Sequence, residues 1–421
     1  MEIQVTALGA VIGLLISIIL IFIKTPPVYG LFIGALAGGL IGGASLAETI
    51  ELMIGGAQDM MTAILRILAA GILAGVLIET GGAESIARTI INKIGETRAL
   101  FALALATLIL TAVGVFIDIA VITVAPIALI IAKNANISKT AILLAMIGGG
   151  KAGNVMSPNP NTISLADAFN TPLTSVMLAG VVPGLVALFI TYFLAKRLSK
   201  KGAQVALEDT DGEENSKTEL PSFIKALTGP LVAVILLSLR PLFDIEIDPM
   251  VALPVGGAVG SIFMGQFKGI ISQATFGLSK MSNVAVLLIG TGTVAGVITN
   301  STLGDVLINF ISDIGLPVYL LAPLAGIMMA GATASTTSGA IVAGQVFNTT
   351  LLESGISGIA GAAMINAGAT VIDHLPHGSF FHATGGSVQM DFKDRLKLIP
   401  YETLVGLTIT VVSVVIFGIV G

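Results

Sequence analysis

The residues able to do chemistry lie in four short polar segments that interrupt otherwise apolar sequence. These segments are a turn around Asp118 and the stretches 148–162, 331–339 and 370–382. Ionisable groups at membrane depth are costly and commonly functional, whereas free backbone amides and helix N-termini attract anions. Together the four segments predict a binding site for a small carboxylate, with titratable groups that carry a coupling ion.

The stretch 148–162 reads GGGKAGNVMSPNPNT and follows an apolar run. Its glycines, prolines and asparagines predict irregular backbone, which membranes tolerate only where it lines a cavity or is buried in protein. Lys151 is predicted to be the counter-ion of a substrate carboxylate. The structural alternatives are a lysine that reaches an interface and a partner for Asp118. The residues expected to hold substrate from this side are Lys151, Asn154, Ser157, Asn159, Asn161 and Thr162.

The stretch 331–339 reads GATASTTSG and offers hydroxyls and backbone amides without charge. Hydroxyl groups can satisfy the oxygens of a substrate or bind a cation, whereas the structural alternative is Ser/Thr packing between membrane helices. Glycines on both sides favour a binding turn. We therefore expect Ser335, Thr336, Thr337 and Ser338 to approach the substrate from the opposite side.

All three histidines fall in one window, at 374, 377 and 382, next to Asp373. Histidine titrates near physiological pH, so His374 and His377 are predicted to relay protons, while His382 is placed nearer the cytoplasmic end and left out. No HExxH motif or closed ligand set favours zinc, so neither a metal site nor a cofactor is expected. Asp118 is a proton carrier, a sodium ligand or a structural acceptor at its turn. The residues predicted to handle the coupling ion are Asp118, Asp373, His374 and His377.

The composition indicates the class of protein in which these four polar segments are found. The protein has 421 residues, of which 55% are hydrophobic and 11% charged, and its mean hydropathy is +0.99. Soluble domains carry about 25% charged residues, so this is a polytopic membrane protein in contact with the lipid bilayer. The absence of cysteine excludes disulfides and thiolate metal sites. The net charge of −5 argues against nucleic acid as a partner.

The apolar segments are arranged in two similar halves on either side of a hydrophilic linker. The predicted domains are a first repeat at 1–195, a cytoplasmic linker at 196–221 and a second repeat at 222–421. The first repeat contains spans at 5–23, 28–45 and 63–80, an amphipathic segment at 83–94, an apolar pair at 99–113 and 119–132, a broken element at 140–169 and a span at 174–195. The second contains spans at 225–239, 249–265 and 283–298, an amphipathic segment at 303–314, an apolar pair joined at 331–339, a broken element at 354–390 and a span at 400–420.

The repeat extends to individual residues. Residues 74–78 resemble 295–299, and the first break, at 157–161, falls opposite 373–377. Internal repeats are typical of secondary transporters, whose site lies at the repeat interface. The first break carries amides and a lysine, while the second carries the titratable groups. We therefore expect substrate binding and ion coupling to be divided between the halves.

Charge placement favours an inverted arrangement of the repeats. If each apolar pair is a re-entrant hairpin, each half crosses the membrane five times. With the linker in the cytoplasm, all but three of the 20 lysine and arginine residues fall on the cytoplasmic side, Lys280 and Arg395 included. The exceptions are Arg66, Lys151 and Arg240. The predicted fold class is thus an all-α polytopic membrane protein with two inverted-topology repeats, each with five spanning helices, one re-entrant hairpin and one broken helix, and with both termini extracytoplasmic.

Other classes of function fit the sequence less well. No GxSxG, HExxH or Walker motif supports a membrane enzyme, and a passive channel would not need a titratable cluster. Sodium-coupled carboxylate transport and sodium/proton antiport remain alternatives to proton symport. Lys151 argues against a purely cationic substrate, because a fixed cation repels one.

The chain resembles the gluconate permease (GntP) family of the ion transporter superfamily over nearly its whole length. The segments that carry the resemblance are GVLIETGGAESIART (75–89), GVFIDIAVITVAP (114–126), NVMSPNPNT (154–162), GATASTTSGAIVA (331–343) and DHLPHGSFF (373–381). The family signature Pro-Pro-His-Pro reads Ser157-Pro158-Asn159-Pro160 here, so its histidine is replaced by Asn159.

The resemblance implies an importer of a small hydroxycarboxylate, such as gluconate, that is driven by protons and resides in the cell inner (plasma) membrane. Resemblance to the wider superfamily implies a homodimer in which a mobile transport domain moves against a scaffold domain as an elevator.

Overall fold

A computed structural model describes most of the chain. The described residues are 5–23, 25–95, 98–205, 220–243, 245, 247–303, 306, 317–376 and 378–420, without the side chains of 240–242. All regular elements in these ranges are helices, apart from one isolated bridge between Val5 and Ser301. Most of the predicted linker, most of the amphipathic segment 303–314 and His377 lie outside the described residues.

The helices of the first half follow the predicted order. They are α1 (Ala7–Phe22), α2 (Pro27–Ile41), α3 (Leu46–Asp59), α4 (Met61–Glu79), α5 (Gly82–Ile94), α6 (Ala99–Ala112), α7 (Ile117–Ala135), α8 (Lys139–Asn154), α9 (Pro160–Ala168), α10 (Leu173–Ala179) and α11 (Val181–Leu198). Side chains set several of the starts. Ser45 and Glu48 form a reciprocal capping box at α3, and the Ser138 hydroxyl accepts a hydrogen bond from the backbone N–H of Ala141 at α8.

The second half repeats this series. Its described helices are α12 (Phe223–Phe243), α13 (Pro249–Phe263), α14 (Ile270–Thr299), α15 (Leu321–Thr333), α16 (Thr336–Glu353), α17 (Gly358–Gly368), α18 (Ser379–Ser387), α19 (Phe392–Leu396) and α20 (Ile399–Val414). A π-helical turn, Val415–Val420, ends the described chain.

Five stretches of the described chain are long and apolar enough to cross a membrane. They are Leu46–Glu79, Ile117–Ala135, Leu173–Leu198, Phe267–Thr299 and Phe392–Val420. Two of them show that the predicted spans 63–80 and 283–298 are too short. Polar residues, such as Asp59 and Lys280, lower the apolar character of both N-terminal extensions. Helix α14 continues through Lys280, whereas α3 ends at Asp59 and is followed at once by α4 from Met61.

These two long stretches correspond in the two halves and pack against each other in antiparallel fashion. The backbone of Gly56 lies against Gly292 and Gly296, whereas Gly75 lies against Gln273 and Gly277. Without side chains at these positions, the helices approach closely enough for dense van der Waals packing. Together with α1, α2, α12 and α13, which pack around them, α3, α4 and α14 form a unit that we call the frame.

The remaining helices around the polar segments form a second unit, which we call the site unit: α6–α9, α11, α15–α18 and α20. Both predicted pairs are helix–turn–helix elements. Gly114 has a φ of 104° in the first turn, and Ala334 has a φ of 46° in the second. Both predicted broken elements are interrupted helices. The first break comprises residues 155–159, between α8 and α9, and the second comprises 369–378, between α17 and α18.

The prediction of irregular backbone throughout 148–162 is wrong, because α8 continues to Asn154 and α9 begins at Pro160. The glycines permit close packing instead of breaking the helix. A Cβ at Gly149 or Gly153 would collide with the backbone of α6, and one at Gly148 would collide with Thr191 of α11. Composition alone does not show whether a glycine breaks a helix or lets the helix pack closely against another.

Candidate functional site

Lys151 lies at the crossing of the two broken helices and is fully buried. Its Nζ is 2.6 Å from the Thr370 carbonyl oxygen, 2.5 Å from Asp373 Oδ1 and 2.9 Å from His374 Nδ1. An ammonium group has three N–H donors, so these acceptors use all of them. One predicted alternative was an ion pair between Lys151 and Asp118. Lys151 does pair with a protein carboxylate, but that carboxylate is Asp373, in the second half of the chain.

His374 contacts both charged members of this cluster. Its Nε2 lies 3.1 Å from the Ile399 carbonyl oxygen and 3.2 Å from the Thr403 hydroxyl, and its Nδ1 lies 2.9 Å from both Lys151 Nζ and Asp373 Oδ1. The Thr336 hydroxyl donates to the second carboxylate oxygen of Asp373. Lys151 and Asp373 are therefore a buried ion pair whose members also have hydrogen-bond partners, as a buried charge pair needs.

A second buried ion pair lies beside the first. Arg395 and Glu402 form a bidentate pair, and both side chains are at most 1% exposed. Glu402 Oε2 is 3.9 Å from His374 Nδ1. The guanidinium of Arg395 is therefore inside the protein, and its position on the cytoplasmic side stays a prediction. Sequence analysis missed Glu402, although an acid within the apolar segment 400–420 was a usable signal.

The asparagines in and beside the first break mainly form hydrogen bonds within the protein. Asn159 caps α9 by accepting from the backbone N–H of Thr162 at 3.1 Å, and its amide donates to the Asn154 carbonyl oxygen at 2.7 Å. Asn161 donates to Asn366 of α17 at 3.2 Å and accepts from Thr337 at 3.1 Å. The Thr162 hydroxyl donates to the Ser157 carbonyl oxygen. The Asn161–Asn366 bond joins the two broken helices, the Thr337 bond ties the first of them to α16, and the remaining bonds lie within the first broken helix.

A cavity of about 700 Å³ lies between the site unit and the frame. This volume is in the range of small-molecule sites. Seven predicted residues line it: Asp118, Asn154, Ser335, Thr336, Thr337, Ser338 and Asp373. Both turns and both broken helices thus contribute to one space. Six predicted residues are not among the lining residues: Ser157, Asn159, Asn161, Thr162, Lys151 and His374. Their contact with substrate or ion remains a prediction.

Three helix N-termini meet at this cavity. Residues 116–119 at the start of α7, 335–338 at the start of α16 and 379–380 at the start of α18 all line it. Each N-terminus presents backbone N–H groups and the positive end of a helix dipole, which favours an anion. The Nδ2 of Asn154, a residue only 5% exposed, has no hydrogen-bond partner within the described chain. The arrangement thus offers backbone and amide donors beside two carboxyl groups, those of Asp118 and Asp373.

Sequence analysis missed the residues that the frame contributes to this cavity. Lys280 and Asn283 line it from the middle of α14. Ser379 of α18, in the site unit, also lines the cavity and was missed as well. Lys280 therefore lies within a long apolar helix and not in a cytoplasmic loop, as its assignment assumed. The sequence signal was present, because a lysine and an asparagine three residues apart lie on one face of a helix.

The predicted division of labour between the halves does not describe the structure. The lysine of the first half and the titratable groups of the second are one hydrogen-bonded cluster. The break of one half and the hydroxyl turn of the other face the same cavity. Both halves of the chain therefore contribute residues to the buried cluster and to the cavity.

A second polar cavity, of about 390 Å³, lies at the other end of α14. Asp59, Asp167, Thr299 and Gln345 are among the residues that line it. Next to it, Arg66 of α4 forms ion pairs with Asp167 of α9 and with Asp248 at the start of α13. This cluster, Arg66–Asp167–Asp248, ties the site unit to the frame on the side away from Lys280.

A third cavity, of about 740 Å³, separates α5 from α7, but it lacks free charged groups. Isoleucines make up much of its lining, and its two charged residues, Glu84 and Arg88, pair with each other at 2.7 Å. No predicted site residue lines it. The cavity that contains Asp118 and the hydroxyl turn is the better candidate site.

Comparison with known proteins gives consistent matches. The model of the GntP family permeases matches residues 1–420. A transporter of Haemophilus influenzae is 62% identical over 415 residues, with 99% of each chain covered. A high-affinity gluconate transporter of Escherichia coli is 23% identical, with 100% of this chain and 98% of the relative covered. Among solved structures, the YdaH transporter of Alcanivorax borkumensis is similar in fold, with a TM-score of 0.64, 16% identity and coverage of 89% and 88%.

Proposed function

The chain belongs to the GntP family of permeases, and from that premise we propose that it is a secondary active proton symporter that imports a small organic anion. The protein is a membrane transporter and not an enzyme. Gluconate or a related sugar or hydroxy acid is the proposed substrate, because relatives are named gluconate transporters and because the site suits an oxygen-rich anion.

The observation that carries this proposal is the convergence of three helix N-termini on one cavity. Four consecutive hydroxyl residues, 335–338, and the free amide of Asn154 lie in the same space. N–H groups and helix dipoles bind a carboxylate, and hydroxyls bind the hydroxyls of a sugar acid. A purely cationic substrate would be repelled by the same dipoles.

The coupling ion is proposed to be a proton carried by Asp118 and by the Asp373–His374 pair. Both acids line the cavity, and His374 stands between Asp373 and Glu402. A chain of titratable groups that begins at the substrate cavity and continues into protein suits proton transfer. Lys151 would hold Asp373 ionised when no proton is bound, and this role replaces direct contact with substrate in our proposal.

Alternating access is proposed to follow from movement of the site unit along the frame. The two cavities lie at opposite ends of α14, and α16 runs along α14 from one to the other. The antiparallel packing of the two long stretches is the relation expected for inverted repeats. An elevator motion, a homodimer, residence in the plasma membrane and extracytoplasmic termini complete the proposal.

Uptake into proteoliposomes tests this function. The purified protein should accumulate radiolabelled gluconate against its gradient when the lumen is alkaline and the outside is acidic. Accumulation driven by a sodium gradient at equal pH would replace proton by sodium. Equilibration without accumulation would indicate a channel, and proton efflux on addition of sodium without gluconate would indicate an antiporter.

One variant tests the relay. His374→Ala is expected to stop accumulation while gluconate still binds, measured as a rise in melting temperature. Proton-driven uptake at the wild-type rate by this variant would remove His374 from the coupling path.

A further inference from the structure

We propose that Lys280 receives the carboxylate of the substrate, and that Asp118 across the same cavity determines when the lysine is available. The proposal deepens the proposed function and rests on it. Lys280 is an exposed residue in the middle of α14, and it forms no hydrogen bond or ion pair with the rest of the described chain. The ring of Phe276 lies against its ammonium group, with the ring centroid 5.0 Å from Nζ, and Asp118 is close enough to interact with it electrostatically.

The charges around the cavity leave Lys280 as its free cation within the described residues. Asp373 also lines the cavity, but Lys151 neutralises it at 2.5 Å. Asp118 accepts a hydrogen bond from the Ile119 backbone N–H at 2.9 Å and has no ion-pair partner in the described chain. When Asp118 is ionised, the unpaired charges among the described lining residues therefore cancel. When Asp118 binds a proton, the same described residues carry a net charge of +1.

This balance links the proton to the anion. A cavity with one positive charge attracts a carboxylate, whereas a neutral cavity does so much less. Because linkage is reciprocal, a bound anion then favours the protonated form of Asp118 by the same factor. Proton and substrate would load together without direct contact between them.

Other charged groups near α7 do not disturb the balance. On α5, Glu84 and Arg88 pair with each other, and they line the separate cavity behind α7. On α18, His382 Nε2 is 2.8 Å from the Pro376 carbonyl oxygen, and it does not line the site. On α8, Lys151 is saturated by its three acceptors.

The position of Lys280 on the frame adds a consequence. The hydroxyl turn, Asn154 and Asp118 belong to the site unit, whereas Lys280 does not. If the site unit moves along α14, the substrate leaves Lys280 behind. The anion is therefore held more tightly in the state described here than after the movement, and the two states would differ in affinity.

The test is calorimetric titration of potassium gluconate into the purified full-length protein at about pH 4.5, near the ordinary titration range of a carboxyl group, and at about pH 8. The wild type is expected to bind more weakly at the higher pH. Lys280→Gln should weaken binding by about 10-fold or more at the lower pH, the usual effect of losing one charged contact. Lys280→Arg should stay within about threefold, because the charge is kept. Asp118→Asn, which imitates the protonated acid, should bind equally at both pH values.

Lys268→Gln is the matched control, because Lys268 is an exposed lysine at the start of the same helical stretch and does not line the cavity. It should bind as the wild type does, and all variants should melt as the wild type does without ligand. Wild-type affinity in Lys280→Gln would overturn the proposal, and so would an unchanged pH dependence in Asp118→Asn. A wild type that binds neither gluconate nor any of a panel of hydroxy acids would overturn the proposed function as well.

Discussion

Replacing Lys151 by methionine should destabilise the protein strongly, because it strands a buried carboxylate. Asp373 is 2% exposed, and the ammonium of Lys151 is its main source of positive charge. Removing one partner of a buried ion pair typically costs about 3–5 kcal/mol of unfolding free energy. Removing both charges, as in Lys151→Met with Asp373→Asn, should recover most of the loss. The double variant should therefore be more stable than the single one.

A matched control separates burial from ion pairing. Lys397 pairs with Asp394 at 2.6 Å, but its side chain is 63% exposed. Lys397→Met should cost at most about 1 kcal/mol, because surface pairs contribute little. Unfolding is best followed by circular dichroism, since the chain has no tryptophan for fluorescence.

Two outcomes would contradict this expectation. One is a loss in Lys151→Met as small as the loss in Lys397→Met. The other is a further loss when Asp373→Asn is added to Lys151→Met.

Three further predictions concern the frame and the topology. Arg66→Gln should open the second cavity. A cysteine at Thr349, which lines this cavity, should then be labelled several times faster than in the unchanged protein. An unchanged rate would show that the Arg66 cluster does not restrain the site unit. Gly149→Ala should cost about 1–3 kcal/mol through collision with the backbone of α6, whereas Gly55→Ala, which meets nothing within 4 Å, should be neutral or slightly stabilising. A cysteine at Gly212 should resist labelling from outside intact cells, and ready labelling would overturn the proposed topology.

The turns and breaks were predictable because their composition departs sharply from the apolar sequence around them. All four hydroxyl residues of 335–338 line the cavity, and so do Asp118 and Asp373, while their contact with substrate or ion stays a prediction. Serine, threonine and proline are conspicuous where leucine and alanine dominate. A local pattern therefore located both helix–turn–helix elements and both breaks.

The pairings were not predictable, because they depend on distances that no local pattern contains. Lys151 could be recognised as exceptional, but its partners lie in the other half of the chain. Lys280 was not recognised as a site residue, because charge counting asks only on which side of the membrane a lysine falls, although a lysine inside a helix can face a cavity. The glycines before Asn154 were misread for a similar reason, because close packing and helix breaking require the same residue.

The bond between Lys151 and Asp373 also has a consequence for biosynthesis. The two residues are 222 positions apart. At about 5–20 residues per second, the ribosome needs roughly 10–45 s to synthesise the second residue after the first. During that time the first half must reside in the bilayer with an unpaired lysine, a residue whose insertion at the centre of a helix costs about 2.5–3.5 kcal/mol. Completion of the second half removes this cost. A chain interrupted in the linker would therefore keep an unpaired lysine in the bilayer, and this distinguishes it from the finished transporter.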